Sequence, residues 1–118
     1  RTLGFIRMRS GAHFEIELEA VDNTAAGKTI RLGNEADVLA FANENLQPKV
    51  TLLFACIGGG VDFGNLIIEV DPQGNCNLRV LEHRGFFVER VSIEQALGAL
   101  GYWLTSQGRT PNLQWQDE

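Results

Sequence analysis

Cysteine is scarce in this chain, because only Cys56 and Cys76 occur among its 118 residues. Two cysteines do not make the disulfide framework that stabilises many small secreted domains. We therefore interpret both as buried thiols of a protein in a reducing compartment, and we expect the protein in the cytoplasm. The two histidines have no partner at a metal-ligand spacing, so we expect no zinc site and no cofactor.

Basic residues are also few, since ten Lys and Arg stand against fifteen Asp and Glu and the net charge is −5. Nucleic-acid binding depends on Lys and Arg that neutralise phosphates, so this composition argues against a nucleic-acid partner. An acidic domain is better suited to a basic protein partner, although a charge of −5 also serves solubility alone. No apolar run reaches the ~18 residues of a membrane-spanning helix, so we expect no membrane insertion.

The first part of the chain alternates between apolar and polar residues. This alternation predicts strands at 2–9 and 13–20, joined by a three-residue hairpin loop that sets Arg9 opposite His13. A short strand is predicted at 29–32.

The outer side of this predicted hairpin combines Phe5 with three acids, Glu15, Glu17 and Glu19. An apolar anchor surrounded by carboxylates is typical of a charge-steered protein interface. The alternative is that a helix covers this side, or that it is an ordinary solvated sheet face. We take these four residues as candidates for partner binding.

The middle of the chain begins with a predicted helix at 35–46, which has Asn34 as its N-cap. The almost continuous apolar run at 50–57 predicts a central strand that is buried on both faces. The clearest hairpin joins strands at 66–71 and 75–81 through the turn sequence DPQG, in which proline and glycine occupy positions that suit a type I turn followed by a left-handed residue.

The last part of the chain predicts a strand at 86–91 and a helix to about residue 107, started by a capping box of Ser92 and Gln95. A final strand is predicted at 112–116, carrying Trp115. The order ββαβββ(β)αβ indicates an α+β fold with a mainly antiparallel sheet of about six strands and two helices. No repeat or linker divides the chain, so residues 1–118 are predicted to form a single domain.

A glycine-rich stretch, CIGGGVDFGNLIIEV, occupies residues 56–70. A dinucleotide-binding fingerprint needs Gly-x-Gly-x-x-Gly between a strand and a helix, but Phe63 stands at the third glycine position and a strand-like segment follows. We therefore interpret Gly58 to Gly64 as a loop or a bulged connection between two strands. Asp62, held out on that loop, is a further candidate for partner contact.

A small-molecule or enzymatic domain is the alternative function, and it would use the Gly58–Gly64 loop together with Cys56 or His83. A cysteine and a histidine in contact can form a nucleophilic pair, but the sequence places no third group to orient them. We therefore favour the interpretation of Cys56 as a buried structural cysteine.

Carboxylates on and beside the central hairpin suggest a second kind of enzyme. Glu69, Asp71 and Glu82 could act as paired carboxylates in acid–base catalysis. Arg79 lies diagonally across from Glu69 in the predicted hairpin, so a solvated sheet face also explains them.

Two segments resemble a known group of proteins. SQGRTPNLQW at 106–115 is a helix end, Gly-Arg-x-Pro and a strand with Trp, and it looks like the end of small immunity proteins in bacterial polymorphic toxin and contact-dependent growth inhibition systems. GNLIIEVDPQG at 64–74 looks like the mid-chain hairpin of the same group. Gly108, Pro111 and Trp115 match its pattern as architectural residues.

The resemblance implies a non-enzymatic protein that binds one cognate toxin and blocks its active site. It supplies no catalytic residues and does not locate the toxin-binding surface. Many such toxins are nucleases or other enzymes with basic clefts, so an acidic face of the immunity protein would occupy the cleft in place of phosphates. This expectation agrees with the acidic composition and with the weakness of every candidate active site above.

Overall fold

The computed structural model describes residues 13–20, 28–58, 61–106 and 108–118. The predicted strand at 2–9, its hairpin with 13–20 and the candidate residue Phe5 lie outside the described residues. In the described part of the chain, Phe14–Leu18 pairs with a strand at 28–32 along one edge and with a strand at 50–58 along the other.

The described chain forms one antiparallel sheet and two helices, which confirms the predicted α+β class. The sheet has seven described strands in the order β2-β1-β3-β4-β5-β6-β7, and every neighbouring pair is antiparallel. Neither described helix is long and apolar enough to cross a membrane. The elements are β1 His13–Ala20, β2 Lys28–Leu32, α1 Glu35–Asn45, β3 Val50–Gly58, β4 Val61–Val70, β5 Cys76–Leu81, β6 Gly85–Val91, α2 Ile93–Ser106 and β7 Gln116–Asp117.

The core lies between the sheet and the two helices, which pack against each other. Side chains alternate along a strand, so each strand sends every second residue into this layer. Leu52, Phe54 and Cys56 of β3 are completely buried there, whereas Leu53 on the opposite side is only half-buried. The prediction of a central strand is confirmed, but its second face is incompletely covered.

The predicted hairpin of β4 and β5 is present, with Val70 opposite Cys76. The Asp71 N–H donates to the Asn75 carbonyl at 2.8 Å. The Asp71 carboxylate also accepts from the N–H groups of Gln73 and Asn75, each at 2.9 Å. Gly74 has a φ of +92°, the left-handed conformation that the turn requires. Local turn chemistry therefore sets this register.

Both helix starts also follow the predicted capping chemistry. The Asn34 side chain accepts from the Asp37 N–H at 2.8 Å. Ser92 and Gln95 form a reciprocal capping box, in which the Ser92 N–H donates to Gln95 Oε1 at 2.9 Å and the Gln95 N–H donates to Ser92 Oγ at 3.0 Å. These bonds satisfy N–H groups that the first helical turn leaves without partners.

The glycine-rich segment contains more strand than predicted, because Gly58 and residues 61–64 belong to β3 and β4, although their pairing is irregular as a bulged connection requires. β3 and β4 remain paired into this segment, where Ile57 lies opposite Asp62 and Gly58 lies opposite Val61. A register shift between Ala55 and Ile57 absorbs the extra residue. Asp62 therefore belongs to a hydrogen-bonded strand and is not held out on a connection.

The end of the chain also differs from the prediction of a strand at 112–116. Residues 111–113 form a turn, and β7 is limited to Gln116–Asp117. Trp115 lies just before β7, where its indole Nε1–H donates to the Thr110 carbonyl at 2.9 Å. This hydrogen bond thus stabilises the turn at 111–113, where a longer strand was predicted.

Candidate protein-binding face

The sheet face opposite the helices, called the outer face below, carries the candidate site. Strand register aligns Glu17, Leu53, Ile67, Arg79 and Phe87 in one row across five strands of this face. Three of these five side chains are apolar and each is half-buried. Leu53, Ile67 and Phe87, called the apolar strip below, are therefore interrupted by Arg79, and Glu17 lies at one end of the row.

Acids outnumber bases around this strip. The described side chains of the outer face include five glutamates, which are Glu15, Glu17, Glu69, Glu89 and Glu118, and the arginines Arg31 and Arg79. Arg90 lies opposite Asn77 together with Glu89. An apolar strip bordered by carboxylates has the composition of a protein-binding surface that selects basic partners.

Glu15 is the most engaged of the predicted candidates on β1. Its Oε2 contacts His13 Nε2 at 2.9 Å and Arg31 Nη2 at 3.3 Å. The hydrogen bond with His13 is the largest cause that lowers the pKa of Glu15, and Arg31 adds to it. Glu17 has no ion-pair partner among the described residues. The structure thus places Glu15 and Glu17 on one face, where the Glu15 carboxylate is already engaged by its neighbours. The side chain of Glu19 lies outside the part of the chain that the structure describes.

A groove of ≈ 650 Å³ lies in the other half of the outer face, between β4, β5 and β6. Ile67 and Phe87 provide apolar lining, and Glu69 and Glu89 provide carboxylates. From the sequence, Glu69 is explained equally well as part of a solvated sheet face. Sequence reasoning misses the groove because it depends on the register of three strands.

Glu118 completes this groove. The Glu118 N–H donates to the Gly85 carbonyl at 3.1 Å, and its carboxylate forms an ion pair with Arg79 Nε. A Cβ at residue 85 would overlap that carboxylate, so a larger residue there would require the Glu118 side chain to move. Arg79 therefore pairs with Glu118 and not with its diagonal neighbour Glu69.

The predicted acid–base cluster does not form an isolated set of carboxylates. Glu69 accepts from Asn77 Nδ2 at 3.5 Å, and Glu82 pairs with Arg109 at 3.2 Å. Arg109 in turn lies over the Phe86 ring, with its guanidinium carbon 3.6 Å from the ring centroid. The Glu82–Arg109 pair thus holds the segment after α2 against the sheet, which is an architectural role.

Cys56 and His83 do not share an accessible surface. Cys56 is completely buried on the helix side of β3, whereas His83 is exposed in the turn between β5 and β6. Cys76 is also buried, and the two cysteines are not joined in a disulfide. Within the described ranges, no group of three or more His, Cys, Asp and Glu residues is arranged to hold a metal ion.

Comparisons with models of known protein families, with curated proteins and with solved structures found no match.

Proposed function

We propose that this chain is an immunity protein that binds a cognate bacterial toxin and neutralises it by covering the toxin's active site with the outer face. The observation that carries the proposal is the apolar strip of Leu53, Ile67 and Phe87 among the outer-face glutamates. Apolar contact supplies affinity, and the surrounding carboxylates steer a basic cleft into place.

The toxin in this proposal is a nuclease or another enzyme with a basic cleft. Carboxylates on a sheet face occupy the cleft where substrate phosphates would lie, so the immunity protein acts by occlusion and needs no catalytic residue of its own. The resemblance of residues 64–74 and 106–115 to immunity proteins supports the same function. Neutralisation of a toxin inside the producing cell agrees with a cytoplasmic protein.

The first test starts from the protein encoded beside this chain's gene. We expect the two proteins to co-purify as a stoichiometric complex. The triple change Glu15→Lys, Glu17→Lys, Glu19→Lys should slow association by about tenfold or more at low salt and make it less salt-sensitive, because steering depends on these charges. Stopped-flow kinetics at several salt concentrations measures both effects.

The matched control reverses Glu35, Glu44 and Glu94, which lie on the helices and change the net charge by the same amount. Circular dichroism establishes that both variants are folded. Equal association kinetics in the outer-face variant, the control and the unmodified chain would refute this binding surface.

The alternative function, a small-molecule or enzymatic domain built on Cys56 and His83, has less support. Cys56 is buried under the helices, and most residues of the predicted loop beside it belong to β3 and β4. An activity that is lost in a folded Cys56→Ala variant would favour this alternative over the immunity protein.

A further inference from the structure

The groove between β4, β5 and β6 combines the two features that bind a long cationic side chain. Ile67 and Phe87 offer apolar surface, which suits the methylene groups of a lysine or arginine. Glu69 and Glu89 lie at the same groove and are exposed, so they can meet the charged end of such a side chain. The groove volume of ≈ 650 Å³ leaves room for one or more side chains from another protein.

The charges of the groove are not balanced within the described structure. Its one described cation, Arg79, is paired with Glu118. Glu69 and Glu89 have no ion-pair partner among the described residues, and the hydrogen bond that Glu69 accepts comes from the neutral amide of Asn77. Two carboxylates beside an apolar lining therefore stay available for a cation from outside.

A bulge in β6 holds this arrangement in place. Val88 is opposite Leu78 and Val91 is opposite Cys76, so Glu89 and Arg90 together face Asn77.

The Asn77 side chain bridges the bulge to the neighbouring strand. Its Oδ1 accepts from the Arg90 N–H at 3.1 Å, and its Nδ2 donates to Glu69 Oε1. Arg90 has a φ of +60°, a conformation that costs energy for a residue other than glycine. The Asn77 amide thus contacts both the backbone of the bulge that carries Glu89 and the carboxylate of Glu69, and it links the two strands that present the acids.

We infer that this groove is the anchor site for an arginine or lysine side chain of the partner protein. The stem of that side chain packs on Ile67 and Phe87, and its charged end lies between Glu69 and Glu89. This inference rests on the proposed function and names the part of the outer face that contributes most to binding. The anchor lies away from Glu15, whose carboxylate already binds His13 and Arg31.

The direct test uses a small probe and the full chain labelled with ¹⁵N. N-acetyl-arginine methylamide is titrated in an NMR experiment, with N-acetyl-lysine methylamide as a second cation and N-acetyl-citrulline methylamide as the uncharged isostere of arginine. We expect saturable shifts of the backbone amides of Ile67, Glu69, Asn77 and Phe87 with at least one cation and none with citrulline.

The double change Glu69→Gln, Glu89→Gln should weaken that binding at least about tenfold, since each carboxylate contributes a charge-assisted contact. The control Glu44→Gln, Glu94→Gln removes the same charge from the helix side and should leave binding unchanged. Shifts spread over all exposed acids, shifts centred on Glu17, or equal binding by citrulline would overturn the inference.

The partner experiment separates this inference from the proposed function. If a toxin binds the Glu69→Gln, Glu89→Gln variant as tightly as the unmodified chain, the groove is not the anchor although the immunity function stands. If the cationic probes bind the groove but the partner is a basic protein without toxic activity, the immunity function fails and the anchor site stands.

Discussion

At the scale of single residues, Cys76 shows how burial changes side-chain chemistry. It is completely buried in β5 and faces the helix layer. Burial raises the pKa of its thiol from the ordinary value of 9.0 to about 11, and the charge of Asp71 adds to this effect. Because folding raises this pKa, its contribution to stability is complete below pH 9 and is lost as the pH rises through about 11.

We therefore expect Cys76 to resist alkylation in the folded protein. The thiolate is the reactive form, so iodoacetamide at pH 8 should leave the Cys76 peptide unmodified in the native chain and modify it fully in guanidinium chloride. Mass spectrometry of the digested protein measures the modified fraction. Rapid labelling of Cys76 under native conditions would show that the thiol is neither buried nor protonated as described.

At the scale of elements, the DPQG turn and the helix caps depend on hydrogen bonds between residues that are two to four positions apart. The turn needs Gly74 at a φ of +92°. Gly98 lies in the exposed part of α2, where an added Cβ would meet no atom within 4 Å. The same substitution should therefore have opposite effects at the two glycines.

Gly74→Ala should lower the free energy of unfolding by about 1–2 kcal/mol, because a Cβ disfavours the left-handed conformation. Gly98→Ala should raise it by about 0.5–1 kcal/mol, because alanine loses less conformational freedom than glycine in a helix. Chemical denaturation followed by circular dichroism gives both values. The same sign for the two variants would contradict the assigned backbone conformations.

At the scale of the whole molecule, stability depends on the layer between the sheet and the helices. Trp103 is 1% exposed in this layer, and its neighbour Tyr102 is 42% exposed on the other side of α2. The Trp103 ring lies 6.5 Å from that of Phe14 in β1, so α2 contacts a strand that is distant in sequence.

Trp103→Ala should cost about 3–5 kcal/mol of unfolding free energy, since it leaves a cavity in the core. Tyr102→Ala should cost less than about 1 kcal/mol, as for most surface substitutions. Urea unfolding of the two variants provides the comparison. Equal losses would mean that α2 does not pack on the sheet through the face assigned to it.

The features that the sequence predicts best are those whose causes lie close together in the chain. The hairpin register of Val70 and Cys76 follows from four turn residues, and the capping box of Ser92 and Gln95 spans three peptide bonds. The sequence predicts the segment around Asp62 less well, because glycines permit a loop and a strand alike. Pairing between β3 and β4 decides between them.

The candidate site also combines features that the local sequence predicts with features that only the folded chain produces. Residue order alone predicts that Glu15, Glu17 and Glu19 share one side of a strand, and it makes the chain acidic. Folding of the whole chain is needed to bring Arg31 to Glu15 and to bring Glu118, from the end of the chain, to Arg79. The reason is physical: alternation is a property of one strand, whereas a groove and its charge balance depend on contacts between residues that are far apart in sequence.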